Sequence, residues 1–118
     1  MRGASRLLAV LAPILCAAGV ALGAYASHAA APLARERLGL AAIFAFAQGL
    51  GLVALGTRSA KLAVSARWML AIGVLLFSGS LAGAALAGLP TLVAPLGGML
   101  MIAGWMLVAI DAARRPKD

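Results

Sequence analysis

Charge is what this chain has least of. Of 118 residues, ten are Lys or Arg and three are Asp or Glu, so 11% are charged while 64% are hydrophobic. Soluble domains carry roughly 25% charged residues. Thirteen ionic groups cannot coat a chain whose mean hydropathy is +1.07, which excludes a water-soluble fold. Disorder is excluded as well, because disordered chains are poor in apolar residues. A single Cys rules out an internal disulfide and a Cys-rich metal site. The single His, with no acidic or Cys ligand close by, makes no zinc site. Gly97-Gly98 lacks the Lys and Ser/Thr of a phosphate loop. The sequence therefore implies no metal and no cofactor.

What is present is apolar sequence in long runs. Leu7–Tyr25, Leu38–Gly56 and Leu92–Ile110 are each 19 residues without a charge, and Trp68–Ala87 is 20. At a rise of 1.5 Å per residue each spans about 28–30 Å, the thickness of a bilayer's hydrocarbon core. In lipid the backbone must satisfy its own hydrogen bonds, so these runs should be α-helices. A transmembrane β-barrel would need strict apolar/polar alternation, which the run Ala41–Gln48 lacks. The expected fold is all-α: one integral membrane domain over residues 1–118, a four-helix bundle with antiparallel neighbours. Pro32 suits the first turn of the second helix. Gly88 to Thr91 leaves room only for a tight turn between the third and fourth.

Lys and Arg near helix ends set orientation. With four spans, Arg2, Arg6, Arg58, Lys61, Arg67, Arg114, Arg115 and Lys117 fall on one side, and only Arg35 and Arg37 on the other. Eight against two predicts both termini in the cytoplasm and a bacterial inner-membrane location. The net charge of +7 is then read as topology and contact with anionic lipid, not as a nucleic-acid patch. A rival for the first stretch is a cleaved signal peptide, since Arg2 and Arg6 precede it and Ala24-Tyr25-Ala26 offers a cleavage site. Its 19 apolar residues exceed the usual signal core of about 7–15, which favours a retained helix.

Lipid tails are as apolar as Leu, so small residues must let the helices approach. The candidate packing glycines are Gly19 and Gly23 in the first helix, Gly79 and Gly83 in the third, and Gly97 and Gly98 in the fourth. The few polar groups at membrane depth, Gln48, Ser78 and Ser80, should face the bundle. Together with His28, just outside the first helix, they are the candidate polar site. Asp111, followed by Arg114 and Arg115, fits ordinary surface pairing at i+3 and i+4.

Three segments carry a family resemblance. Leu22-Gly23-Ala24-Tyr25-Ala26-Ser27-His28 resembles the Leu-Gly-Ala-Phe-Gly-Ala-His signature of the YgdD-like family of small membrane proteins, a domain-of-unknown-function family related to transmembrane protein 256. Leu76-Phe77-Ser78-Gly79-Ser80-Leu81 matches its Leu-Phe-Ser-Gly-Ser-Leu signature unchanged. Pro95-Leu96-Gly97-Gly98 with Ala103-Gly104-Trp105 matches its Pro-x-Gly-Gly…Ala-Gly-Trp pattern. The chain departs from the family at Ala26-Ser27, where Gly-Ala is usual, and at Gln48, which stands where relatives carry His. The resemblance implies a four-helix inner-membrane protein and no established activity.

Groups able to transfer protons or attack are scarce. The expectation is a non-enzymatic membrane protein acting by association with the bilayer, with copies of itself or with a membrane-protein partner. The alternative is a small oligomeric transporter or channel, with a polar path along Gln48, Ser78 and Ser80.

Overall fold

The computed structural model describes residues 2–29 and 31–116. They form four α-helices: α1 (Arg2–Ala26), α2 (Pro32–Leu55), α3 (Lys61–Ala87) and α4 (Ala94–Arg114). All four are long and apolar enough to cross a membrane. Lys117 and the side chain of Arg2, both counted for orientation, lie outside the described residues.

α1, α2 and α3 start before their charge-free stretches and α4 ends beyond its own, while α4 starts two residues inside, at Ala94. α3 begins at Lys61 and not Trp68, and α2 at Pro32 and not Leu38. Long basic side chains near helix ends reach out to the polar interface, so a charge does not oblige the helix to stop. Backbone chemistry sets the ends instead. Pro32 occupies the first helical position of α2, where its missing N–H would have had no intrahelical partner anyway. α2 ends at Gly56 (φ 69°) and α3 at Gly88 (φ 68°, ψ 20°), conformations open to glycine at little cost. Pro116 follows an extended Arg115 and closes α4.

α1 packs on α2, α2 on α3 and α3 on α4, with a light contact between α1 and α3. The resulting bundle measures 52 × 24 × 23 Å. Its core centres on Leu70 and Val74, joined by Leu8, Ala12, Leu15, Leu52, Ala71 and Met101, and Leu38 is fully buried as well. Phe44 of α2 and Phe77 of α3 meet with ring centroids 4.6 Å apart, tilted by 57°, a favoured aromatic geometry.

Two seams bring backbones together. A methyl carbon added to Gly19 would lie 2.8 Å from the Ala42 carbonyl, and one on Gly49 would lie 2.7 Å from the Ala12 carbonyl, so α1 and α2 close on these glycines. Gly97 and Gly73 do the same for α3 and α4: a Cβ on Gly97 would sit 2.5 Å from the Gly73 carbonyl and from the Phe77 nitrogen. Of the glycines expected to pack, Gly19 and Gly97 lie in these seams. Gly23 and Gly98 are at ordinary contact distance, 3.7 Å from Ala42 and 3.9 Å from Phe77. Gly79 and Gly83 do not join helices. A Cβ on Gly79 would meet nothing within 4 Å, and one on Gly83 would meet only Leu89 of the following loop. The seam of α3 lies on the face carrying Gly73 and Phe77, which turns Gly79 outward.

The exterior is the inverse of a soluble protein's. Leu92, Ile102, Met99 and Ile43 are exposed, while Gln48, Ser78, Arg67 and Asp111 are buried. So much exposed apolar surface is a lipid-facing surface.

Candidate functional site

Two of the three intramembrane polar residues are tied to separate partners. Gln48 of α2 is buried, and its Oε1 accepts a hydrogen bond from Trp105 Nε1 of α4 at 2.8 Å. Gly51, one turn on, makes room for that indole, since a Cβ there would lie 2.8 Å from Trp105 Cζ2. Ser78 of α3 donates to the Ala41 carbonyl of α2 at 2.9 Å. Ser80 Oγ is buried with no partner among the described residues. His28 is exposed beyond α1, in a turn where its main-chain N–H donates to the Tyr25 carbonyl at 3.0 Å. Arg35 closes the same loop by donating to the Ala29 carbonyl from Nε at 3.1 Å and Nη2 at 2.7 Å. The four candidate residues therefore do not converge. A groove of about 500 Å³ beside Gln48 is lined by Phe44, Phe77, Met101 and Trp105 among others, and by neither serine.

Four charged residues do converge, at the other end of the molecule from His28. Asp111 in the last turns of α4 is buried. It accepts a two-pronged pair from Arg58, Nε to Oδ2 at 2.8 Å and Nη2 to Oδ1 at 3.2 Å, and a longer bond from Arg115 at 3.4 Å. Such forked guanidinium–carboxylate pairs are among the stronger polar contacts in proteins. Arg67, in the second turn of α3, is only 2% exposed. Its Nη1 donates to the Arg58 carbonyl at 2.8 Å, and its Nη2 is buried without a partner among the described residues. The cluster pins the α2–α3 loop to the ends of α3 and α4.

Asp111 is thus not the surface acid expected from its spacing to Arg114 and Arg115. Its main partner is 53 residues away in sequence. A signal for this exists: an acid in a helix's last turns faces the negative end of the helix dipole and is unfavourable there without a strong cation. Arg67 left no such trace, because one Arg among the loop cations looks like any other. Among the described residues no three His, Cys, Asp or Glu side chains come together as metal ligands would.

The signature segments lie in these contacts. Phe77 and Ser78 bind α3 to α2, Gly97 closes α4 on α3, and Trp105 reaches Gln48. A family model described as a protein of unknown function (DUF423) matches residues 22–98, well over half of the chain. The chain belongs to the DUF423 family. Among curated relatives, a UPF0382 membrane protein of Staphylococcus haemolyticus is 41% identical over 68 residues, covering 53% of this chain and 56% of its own length. A second, of Staphylococcus saprophyticus, is 37% identical over 67 residues, covering 52% and 56%. The chain thus matches a little over half the length of these relatives. No solved structure matches it. The family resemblance read from the three signatures is borne out, as is membership of an uncharacterised membrane-protein family.

Proposed function

We propose that this DUF423 protein is a non-enzymatic inner-membrane protein that acts by association, as a scaffold or accessory subunit. It crosses the bilayer as four antiparallel helices with both termini in the cytoplasm. One observation carries the reading: two of the three polar groups at membrane depth are held separately, Gln48 by Trp105 and Ser78 by Ala41, instead of lining a shared path. Interhelical bonds of this kind contribute about 0.6 kcal/mol each and serve as glue. A transport path would need Gln48, Ser78 and Ser80 on one cavity, and the groove beside Gln48 includes neither serine. Orientation rests on the basic end. Leu8 of α1, Thr57 and Arg67 line one cavity there, and Arg58 binds Asp111 of α4, so the α1 start, the α2–α3 loop and the α4 end share that side. Under the positive-inside bias it faces the cytoplasm.

Affinity purification of the tagged chain from cross-linked native membranes tests this. A stoichiometric partner, or a defined homo-oligomer, is expected. Selective flux of an ion or metabolite through proteoliposomes holding the pure protein, lost on Gln48→Leu, would replace the association reading by transport.

A further inference from the structure

A cavity of about 310 Å³ opens at the basic end, between the first turns of α1, the end of α2 and the start of α3. Leu8, Ala12, Pro13 and Leu52 make its walls apolar, and Thr57 and Arg67 supply the polar groups. It joins a greasy slot to a buried guanidinium. Pro13 has no N–H to return to the Ala9 carbonyl, so this cavity-lining backbone also lacks one ordinary helix bond.

The charge balance at this end is uneven. Arg58, Arg67 and Arg115 surround one described carboxylate, Asp111, whose bonds are taken by Arg58 and Arg115. Arg67 receives none of them. A guanidinium that is only 2% exposed, with one nitrogen facing no acceptor among the described residues, is costly to keep in an apolar setting. An anion beside it would relieve that cost, and Arg is suited to a forked grip on phosphate.

We propose that this cavity binds an anionic phospholipid: the phosphate meets Arg67 with Thr57 beside it, and the upper part of one acyl chain lies against Leu8, Ala12, Pro13 and Leu52. The occupant follows from two features together. The cation selects negative charge, and the apolar walls, open to the lipid-facing exterior of α1 and α2, select a hydrocarbon tail over a free anion. A volume near 310 Å³ is at the small end for ligand sites, enough for a chain segment but not a whole lipid. The inference rests on membrane embedding and is independent of whether the protein has a protein partner.

The test uses the full chain in a neutral detergent, with native mass spectrometry against equal amounts of phosphatidylglycerol and phosphatidylcholine of identical chains. The wild type should retain phosphatidylglycerol about tenfold over phosphatidylcholine, the scale expected for an ionic contact in a partly desolvated site. Arg67→Met should abolish the preference. Ala9→Phe, which fills the slot from its exposed rim and leaves Arg67 in place, should also abolish it, and it decides the matter if Arg67→Met does not fold. Equal retention of both lipids by the wild type would overturn the proposal, as would an unchanged preference in folded Ala9→Phe. So would inorganic phosphate alone raising Tm as far as phosphatidylglycerol does, since the site would then recognise the anion without the chain.

Discussion

Asp111 ties the end of α4 to the α2–α3 loop through one carboxylate. Its removal leaves Arg58 without its forked partner and Arg67 deeper in uncompensated positive charge. Breaking one partner of such a pair is destabilising, and Arg58, about a third exposed, moderates the loss. Asp111→Asn should therefore lower the unfolding midpoint clearly. Arg114→Ala should stay within about 0.5 kcal/mol, as for a surface change remote from such contacts. Thermal unfolding in detergent, followed by circular dichroism, measures both. Equal losses at the two positions would restore the local surface pairing suggested by the i+3 and i+4 spacing. The residue scale is where the sequence is least legible. Asp111 sits in an unfavourable dipole position that hints at a partner, yet which of eight cations supplies it depends on how α2 turns into α3.

Elements were far easier to read. Four uncharged runs, each long enough for a bilayer, became four helices with the core of every run inside its helix. The starts of α1, α2 and α3 and the end of α4 moved outward because a basic residue at an interface can stay helical, which hydropathy alone does not encode. The packing faces were half legible. Gly19 and Gly97 are seam residues, but Gly79 and Gly83, spaced like Gly19 and Gly23, meet no neighbouring helix. The spacing says that a face is smooth, not that a neighbour covers it. Gly97→Ala should destabilise by about 1–3 kcal/mol through overpacking against Gly73 and Phe77. Gly79→Leu should leave Tm nearly unchanged, because its added atoms enter open space. The pair, measured side by side, tests the seam: a loss at Gly79 with none at Gly97 would place the α3 contact on the wrong face.

At the scale of the whole molecule, composition alone separated lipid from water as the solvent. An exterior of Leu, Ile and Met around buried Gln, Ser, Arg and Asp follows directly from that choice. The proposed orientation rests on eight basic residues against two, and it can be checked without a purified protein. A reporter fused after residue 116 should be active only in the cytoplasmic form, and one inserted at residue 29 only in the periplasmic form. The reverse pattern would invert the proposed map. The buried Arg67 and its cavity belong to this scale too, since they exist only where three helices meet, and no single stretch of sequence announces them.

The two tight glycine seams pair α1 with α2 and α3 with α4, while α2 and α3 meet through side chains such as Ser78, Phe44 and Phe77. Each half thus carries its own closest backbone approach within a short span of chain. During synthesis the first two helices could therefore close along their own seam before the third joins them. The newborn protein would enter the bilayer in two successive strokes, and the second stroke would find a finished surface waiting to receive it.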